Sequence, residues 1–400
     1  MGIHEAETYV VPGFMAGGIH AGIKEKGLKD LALIVSTVPS KVSAVFTTNA
    51  FKAAPVLLDQ KRIKSGTAQA ILVNSGNANA ATGSKGYEDA VSMARFASGH
   101  LHIKEEHILV ASTGIIGHRL PIEKIEEQMG SLVKVLHEKG IPEAGEAIMT
   151  TDKFPKMACR KGIIGSREVT ICGIAKGAGM IEPNMATMLA FIMTDVNVEL
   201  PVLDHMFKEA VAGSFNAITV DGCMSTNDTA IILANGQAGN SAIKGPSKNL
   251  HLFKEMLFGV MSDLATAMVR DGEGATKIID IIVEEAKSTG EARKIAYAIA
   301  NSNLVKTAMF GCDANWGRIL SAAGSSGISL PVDKVQLFFE DVPVFTNGQG
   351  VYGHKNELAK IMTADTIRIR IKLGMGKKTF RVCASDLSFD YIKINAHYHT

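Results

Sequence analysis

Short apolar runs alternate with glycine- and asparagine-rich turns in the first half of the chain. The runs at residues 31–36, 42–47 and 70–73 are aliphatic and bounded by turn-forming residues, which predicts buried or half-buried strands. Residues 84–101 and 121–139 instead carry apolar side chains three or four positions apart with charges between them, which is typical of amphipathic helices. Helices are therefore expected to cover a strand-rich layer.

The second half repeats this alternation. The pattern predicts helices at residues 201–214, 249–269 and 290–302, and strands at residues 277–283 and 366–373. Strands interleaved with helices indicate a layered α+β or α/β protein. No linker rich in proline, glycine or serine divides the chain, so composition alone sets no domain boundary.

Composition and charge narrow the classes of partner. The chain has 400 residues, of which 46% are hydrophobic and 20% charged, enough for one large or two medium globular domains. Its 42 basic and 40 acidic residues leave a formal net charge of +2. A net charge this small produces no strong positive electrostatic potential to attract nucleic acid or an anionic membrane. Neither is therefore expected as a partner.

Cysteine spacing and the N-terminal residues bear on the compartment. Five widely spaced cysteines without a Cys-x-x-Cys pair predict reduced thiols rather than a disulfide or zinc framework. The first residues carry acids where a signal peptide has basic residues and an apolar run, and no stretch has the roughly 18 apolar residues of a membrane span. We therefore expect a cytoplasmic protein. The cysteines are Cys159, Cys172, Cys223, Cys312 and Cys383.

Residues 171–195 carry the candidate chemistry. They divide into a strand, a glycine turn, a Glu-Pro-Asn corner and the apolar run 187–194, which begins at Thr187. Small, loop-forming residues before a buried strand suit a chain that is cut before that threonine, because glycine tolerates strained backbone. On pattern alone, the run also fits an ordinary core strand, in which threonine is favoured.

A threonine hydroxyl needs a nearby base to act as a nucleophile. If the Ala186–Thr187 bond is cut, the new α-amino group of Thr187 can serve as that base, since its ordinary pKa is about 8. The same Oγ can first attack the carbonyl carbon of Ala186, giving an ester that water hydrolyses. Cleavage would then create the catalyst.

The segment KGAGMIEPNMATMLAFIMTD, residues 176–195, closely resembles the cleavage segment of the ornithine acetyltransferase family. Further segments at residues 45–49, 72–83, 271–277 and 312–318 resemble that family's other loops, so the resemblance spans the chain. It implies an α+β layered sandwich of αββα architecture, cut into an α chain of residues 1–186 and a β chain of residues 187–400 that pair as an α2β2 heterotetramer.

The resemblance also implies an activity. Family members transfer acetyl from N2-acetyl-L-ornithine to L-glutamate through an acetyl-threonine, a step of arginine biosynthesis, and some also accept acetyl-CoA as donor. The expected partners are therefore these small molecules. No metal or redox cofactor is expected, and the sequence does not decide acetyl-CoA use or feedback regulation.

Site residues follow from the same resemblance. Acyl transfer needs hydrogen-bond donors that converge on an oxyanion. The resemblance assigns this role to Thr113 and Gly114. On pattern alone, the run that contains them is only a strand followed by a turn. Lys176 and Glu273 are assigned to substrate binding, where their charges suit an α-carboxylate and an ammonium. Thr150 is a third binding position, with Thr151 as its alternative, and Thr187 itself is a fourth.

The C-terminal residues would ordinarily be a fraying tail, but the family folds them into its active site. Asn395 and Thr400 match binding positions there. His397 and His399 stand where the family usually has acidic and arginine residues, so their contacts stay open. Two histidines without a third ligand nearby do not predict a metal site.

Three other classes of protein compete with this interpretation. A self-cleaving aminopeptidase of related fold would release its acyl group to water. A single-chain acetyl-CoA acetyltransferase would form no acetyl-threonine. A binding protein without activity would remain one intact chain.

Overall fold

The computed structural model describes residues 3–6, 8–25, 27–182 and 188–397. Ala186, Thr187, His399 and Thr400, which carry predictions above, lie outside these ranges. Within them the chain forms sixteen strands: β1 (His4–Glu5), β2 (Phe14–Ile19), β3 (Leu31–Phe46), β4 (Thr67–Asn77), β5 (Ile108–Ile115), β6 (Lys156–Ile164), β7 (Arg167–Lys176), β8 (Leu189–Thr194), β9 (Ile218–Thr219), β10 (Thr229–Ala234), β11 (Ile278–Ala286), β12 (Gln336–Phe339), β13 (Val342–Thr346), β14 (Gln349–Gly350), β15 (Thr366–Lys372) and β16 (Lys378–Ser385).

The same ranges contain eleven α-helices. They are α1 (Ala54–Arg62), α2 (Gly83–Leu101), α3 (Ile122–Lys134), α4 (Ile141–Ala147), α5 (Leu200–Gly213), α6 (Lys248–Arg270), α7 (Thr289–Ala300), α8 (Asn303–Phe310), α9 (Trp316–Gly324), α10 (Lys355–Met362) and α11 (Phe389–His397). None of the helices in the described ranges is long and apolar enough to cross a membrane.

The chain packs as two compact units. The first contains the described residues of Met1–Asn216 and Cys223–Met268, and the second contains Ala217–Gly222 and the described residues of Val269–His399. Each unit combines one sheet with helices packed on it, which confirms the predicted α+β class.

The sheet of the first unit has nine strands in the order β1-β6-β7-β8-β10-β3-β4-β5, with β2 paired to β3. Two of its pairings, β8 with β10 and β4 with β5, are parallel. Both faces are buried: Leu31 and Leu33 of β3 pack with α2 and α3, whereas the alternate residues Ala32 and Ile34 pack with α4. Because side chains alternate between the faces of a strand, burial on both faces produces the continuous apolar runs in the sequence.

The second unit has a seven-stranded sheet in the order β14-β13-β12-β15-β11-β16-β9. The central strands β11 and β15 run parallel. Helices α7, α8 and α9 contribute Ile295, Ile299, Met309 and Ile319 to a core shared with Ile281 and other residues of β11.

The strands and helices predicted from the apolar pattern are present, with some changed bounds. The two predicted strands at 31–36 and 42–47 are the ends of one strand, β3, whose pairing with β4 shifts register between Val35 and Ser40. The predicted helix 121–139 ends at Lys134, and the predicted strand 187–194 begins, among described residues, at Leu189. The C-terminal residues up to His397 form a helix rather than a frayed tail.

The expectation that all cysteines are reduced thiols is wrong for one pair. Cys159 on β6 and Cys172 on β7 form a disulfide. The two strands are joined by a two-residue turn at Gly165 and Ser166, and the resulting register sets these cysteines directly opposite each other. The remaining three cysteines, Cys223, Cys312 and Cys383, are not part of this disulfide.

Candidate functional site

Lys176 ends strand β7 and is a buried cation, only 2% exposed. Its Nζ donates hydrogen bonds to Thr150 Oγ1 at 2.6 Å and to Thr113 Oγ1 at 3.4 Å. The structure thus brings three of the predicted site residues into contact within the first unit. Between the two threonines weighed for substrate binding, Thr150 is the one whose hydroxyl accepts this bond from Lys176.

A buried carboxylate organises this contact. Asp152 Oδ1 accepts from Lys156 Nζ at 2.6 Å and from the Gly177 N–H at 2.7 Å, while Oδ2 accepts from the Thr150 N–H at 2.9 Å. Lys176 Nζ lies 3.8 Å from the same Oδ2. The Asp152 carboxylate therefore connects Thr150 and Lys176, two predicted substrate-binding residues, to Gly177. At Gly177 the chain leaves β7 toward the predicted cleavage bond.

The charges around Asp152 decide its protonation. Burial acts to raise the pKa of this carboxyl, but the ammonium groups of Lys176 and Lys156 and the hydrogen bonds that it accepts outweigh burial and hold its pKa below the ordinary value. Asp152 is therefore an anion at neutral pH. Two buried ammonium groups, of Lys156 and Lys176, lie within 4 Å of this one carboxylate.

Thr113 and Gly114 lie at the end of β5, next to β4. Thr113 is 4% exposed, and Gly114 has a φ of +134°. A Cβ at Gly114 would overlap the backbone of Gly76 and Asn77 on β4, so only glycine fits. This close approach leaves the strand end as bare backbone beside a threonine hydroxyl, a suitable surface for an oxyanion.

A second pair of predicted residues lies in the second unit. Asn395 of α11 donates from Nδ2 to Glu273 Oε2 at 2.9 Å. The loop carrying the half-buried Glu273 is held to the start of α11, because Ser388 Oγ donates to the Gly274 carbonyl at 2.5 Å. Gly274 has a φ of +67°, and a Cβ there would overlap the backbone of Tyr391. Glu273 is therefore a fixed group and not a freely solvated surface acid.

The central residues of the prediction have no described geometry. Thr187, its neighbour Ala186 and the terminal Thr400 lie outside the described residues. Both described ends of the segment that contains Thr187 are anchored: Gly177 by Asp152, and Met188 by Asp228, whose Oδ1 accepts the Met188 N–H at 2.9 Å.

Sequence reasoning missed four buried polar residues of the first unit: Asp152, Lys156, Asn227 and Asp228. A signal for the last two was present, since the polar run 225–228 directly precedes strand β10. Within the described ranges, no group of three or more His, Cys, Asp or Glu side chains is arranged to hold a metal ion.

The fold and these side chains define an α+β protein with a buried polar site at the end of a strand. The chain belongs to the ArgJ family, whose model matches residues 15–400. An arginine biosynthesis bifunctional protein ArgJ of Geobacter sulfurreducens is 50% identical over 395 residues, which cover 98% of this chain and 100% of that protein. Another of the same name, from Caldanaerobacter subterraneus subsp. tengcongensis, is 48% identical over 405 residues and 100% of both chains.

Solved structures are also similar in sequence. An ornithine acetyltransferase from Mycobacterium tuberculosis, solved in complex with ornithine, is 37% identical, with 45% of this chain and 98% of that chain covered and a TM-score of 0.43. The family membership confirms the resemblance on which the site residues were chosen.

Proposed function

We propose that this chain transfers the acetyl group of N2-acetyl-L-ornithine to L-glutamate through an acetyl ester on Thr187, after cutting itself between Ala186 and Thr187. Membership of the ArgJ family, whose named relatives act in arginine biosynthesis, supports the activity. The structural observation that supports it best is the convergence of Lys176, Thr113 and Thr150 where β7 leads into the cleavage segment.

Self-cleavage comes first. Thr187 Oγ attacks the carbonyl carbon of Ala186, the peptide C–N bond breaks, and the Oγ proton ends on the freed nitrogen. Water then hydrolyses the Ala186 ester, which leaves Thr187 with a free hydroxyl and a free α-amine. The products are an α chain of residues 1–186 and a β chain of residues 187–400.

Acetyl transfer then takes two steps. Thr187 Oγ attacks the acetyl carbonyl and passes its proton to its own α-amine, and the resulting ammonium protonates the ornithine nitrogen as the C–N bond breaks. Glutamate attacks the acetyl ester by the reverse sequence and leaves as N-acetylglutamate. Donors at Thr113 and Gly114 stabilise both oxyanions, an effect typically worth about 10²–10³ in kcat for each donor.

Lys176 is the proposed partner of the substrate α-carboxylate, because it is a buried cation at the end of β7, where the chain leads into the cleavage segment. The Thr150 hydroxyl lies beside it. Glu273 supplies the negative charge that suits the side-chain ammonium of ornithine, with Asn395 orienting it. Thr187 and Thr400 complete the proposed set of binding residues.

Three further properties belong to the proposal. Acetyl-CoA serves as a second acetyl donor, as the relatives' description as bifunctional suggests. The chemistry uses no metal or redox cofactor. The cleaved chains assemble as an α2β2 heterotetramer in the cytoplasm.

The decisive experiment combines denaturing gel electrophoresis, N-terminal sequencing and a transfer assay. The wild-type protein should give two fragments, one of which begins Thr-Met-Leu-Ala-Phe, and should convert N-acetylornithine and glutamate into ornithine and N-acetylglutamate. The Thr187→Ala variant should remain one chain and be inactive. Thr194→Ala is the matched control: it removes a hydroxyl that bonds the Thr170 carbonyl at the other end of β8, so it should still be cleaved.

Each competing class predicts a different result. Accumulation of acetate in place of N-acetylglutamate would indicate a hydrolase. Transfer from acetyl-CoA by an intact chain, with no acetyl group on the Thr187 peptide, would indicate a single-chain acetyltransferase. An intact wild-type chain without activity would indicate a binding protein.

A further inference from the structure

Met188, the residue covalently joined to Thr187, is held through both of its backbone groups. Its N–H donates to Asp228 Oδ1 at 2.9 Å, and its carbonyl accepts from the Thr229 N–H at 3.0 Å. Asp228 is fully buried. One short segment at the start of β10 therefore fixes the chain directly after the predicted nucleophile.

The residue before Asp228 contacts a different strand. Asn227 donates from Nδ2 to the Ser112 carbonyl at 2.8 Å and to the Ala78 carbonyl at 2.6 Å. Ser112 lies on β5 immediately before Thr113. Adjacent side chains thus contact the neighbour of the predicted nucleophile and the neighbour of the predicted oxyanion residue.

The Asn227–Asp228 pair is itself rigidly supported. The Asp228 carbonyl accepts from the Thr47 N–H at 2.9 Å, and the Thr226 hydroxyl donates to Asn227 Oδ1 at 2.6 Å. Both residues are buried, at 0% and 6% exposure for Asp228 and Asn227. Buried side chains with fixed partners have little freedom, so they can hold two strands at a constant separation.

We propose that Asn227 and Asp228 are positioning residues of the acyl-transfer site, which together fix Met188, the residue that follows the proposed nucleophile, relative to β5, which carries the proposed oxyanion donors. The role requires an acceptor for the Met188 N–H at position 228 and a donor for the Ser112 carbonyl at position 227. It rests on the proposed function, because it assigns the nucleophile to Thr187.

The protonation of Asp228 fits an acceptor role. Burial raises the pKa of this carboxyl well above its ordinary value, although the bond from Met188 and the charge of Lys176 act in the opposite direction. A neutral carboxyl accepts the Met188 N–H as a side-chain amide would. Asparagine should therefore replace Asp228 in this role, whereas alanine should not.

The test compares Asp228→Ala and Asp228→Asn with Asp195→Ala. Asp195 is a matched control, since it is a buried aspartate of the same unit that accepts one backbone N–H, from Thr170 at 2.8 Å, at the other end of β7. Three kinetic constants are measured for each variant, namely the half-time of cleavage and the kcat and KM of fully cleaved enzyme for N-acetylornithine. The melting temperature is measured as well.

Displacement of a reacting group by about 1 Å can cost about 10²-fold in rate. Asp228→Ala is therefore expected to slow cleavage and kcat by about 10–100-fold, with KM changed less than about threefold. Asp228→Asn should stay within about threefold of wild type in all three constants. Asp195→Ala should keep wild-type rates even where its melting temperature falls as far as that of Asp228→Ala.

Asn227→Leu tests the other contact, because leucine has similar size and no donor. It should lower kcat more than KM, as Asp228→Ala does. A rate unaffected by this change would overturn the role of Asn227.

Two results would overturn the role of Asp228. One is cleavage and turnover by Asp228→Ala at the rates of Asp195→Ala. The other is slow cleavage by a folded Asp228→Asn, which would show that the acid itself is required. This second result tests the positioning role even if Asp228→Ala does not fold. Failure of the proposed function is distinguishable, since the wild type would then not be cut at Ala186–Thr187.

Discussion

Asp152 and Asp228 occupy comparable places on the two sides of the predicted nucleophilic segment. Each is buried, and each accepts the backbone N–H of a residue at one end of that segment, Gly177 and Met188. Their surroundings nevertheless drive their pKa values in opposite directions. The difference lies in their neighbours. At Asp152, the ammonium groups of Lys176 and Lys156 and the accepted hydrogen bonds together outweigh burial, whereas at Asp228 burial outweighs the accepted hydrogen bonds and the single ammonium group of Lys176.

Burial alone therefore does not determine what an acid can do. Asp152 stays charged, so it can hold two cations. Asp228 favours the neutral form, so it can accept a backbone N–H without repelling an anionic intermediate nearby. The two roles predict opposite responses to the same change from aspartate to asparagine.

The largest effect is expected for Asp152→Asn. The change leaves the side chains of Lys156 and Lys176 buried without their carboxylate, and breaking a buried ion pair in this way costs about 3–5 kcal/mol. We expect the free energy of unfolding to fall by that amount in urea denaturation. The measurement is made in the Thr187→Ala background, which by the proposal remains a single chain.

A second change should partly reverse this loss. Asp152→Asn combined with Lys156→Met removes one of the two cations that lie beside Asp152 and returns the summed charge of Asp152, Lys156 and Lys176 to its wild-type value. The double variant should regain stability but keep a raised KM for N-acetylornithine and glutamate, because Lys176 is no longer held by Asp152. A single variant within about 1 kcal/mol of wild type would contradict the ionic account of this cluster.

Asp228→Asn should be stabilised relative to wild type as pH rises, whereas Asp152→Asn is destabilised. Because the pKa of Asp228 is raised on folding, its contribution to stability is complete below the unfolded pKa of about 3.9 and is lost as pH rises toward the folded pKa. Asparagine removes this loss. Relative to wild type, the variant should therefore gain stability as pH rises from 4 to the folded pKa, by at most about 1.4 kcal/mol for each pH unit in that window, and no more above it.

The same titration gives the reverse result at Asp152. Its pKa is lowered on folding, so its contribution is present above pH 4 and is lost on acidification. The stability advantage of wild type over Asp152→Asn should accordingly shrink below pH 4. Parallel pH curves for the two variants would contradict the contrast between the two aspartates.

The sequence predicted the strands and helices well, because segments buried on both faces, such as β8 and the first residues of β3, are continuous apolar runs. The family resemblance selected Thr113, Thr150 and Lys176, which the structure brings together. It did not select Asp152 or Asp228. Asp152 bonds Gly177 across 25 positions, through the pairing of β6 with β7, and Asp228 bonds Met188 across 40 positions, through the parallel pairing of β8 with β10. No local pattern reveals these two contacts.

The disulfide is a different kind of omission. Cys159 and Cys172 are 13 residues apart, and the hairpin between them has a two-residue turn at Gly165 and Ser166. Recognition of that turn would have fixed the register and set the cysteines opposite each other. The spacing was thus informative, but only together with the hairpin.

The pKa of Asp195 is intermediate between those of Asp152 and Asp228. Its replacement is expected to change the free energy of unfolding least. Asp195 is buried and accepts the Thr170 N–H, and burial raises its pKa to about 6 despite this bond. The ionised Asp195 should thus destabilise the folded wild type increasingly between pH 4 and pH 6. Above pH 6 this cost should stay constant, at no more than about 3 kcal/mol. Asp195→Asn should gain stability over wild type only within that window. A gain that continued to grow above pH 7 would contradict a folded pKa of about 6 for Asp195.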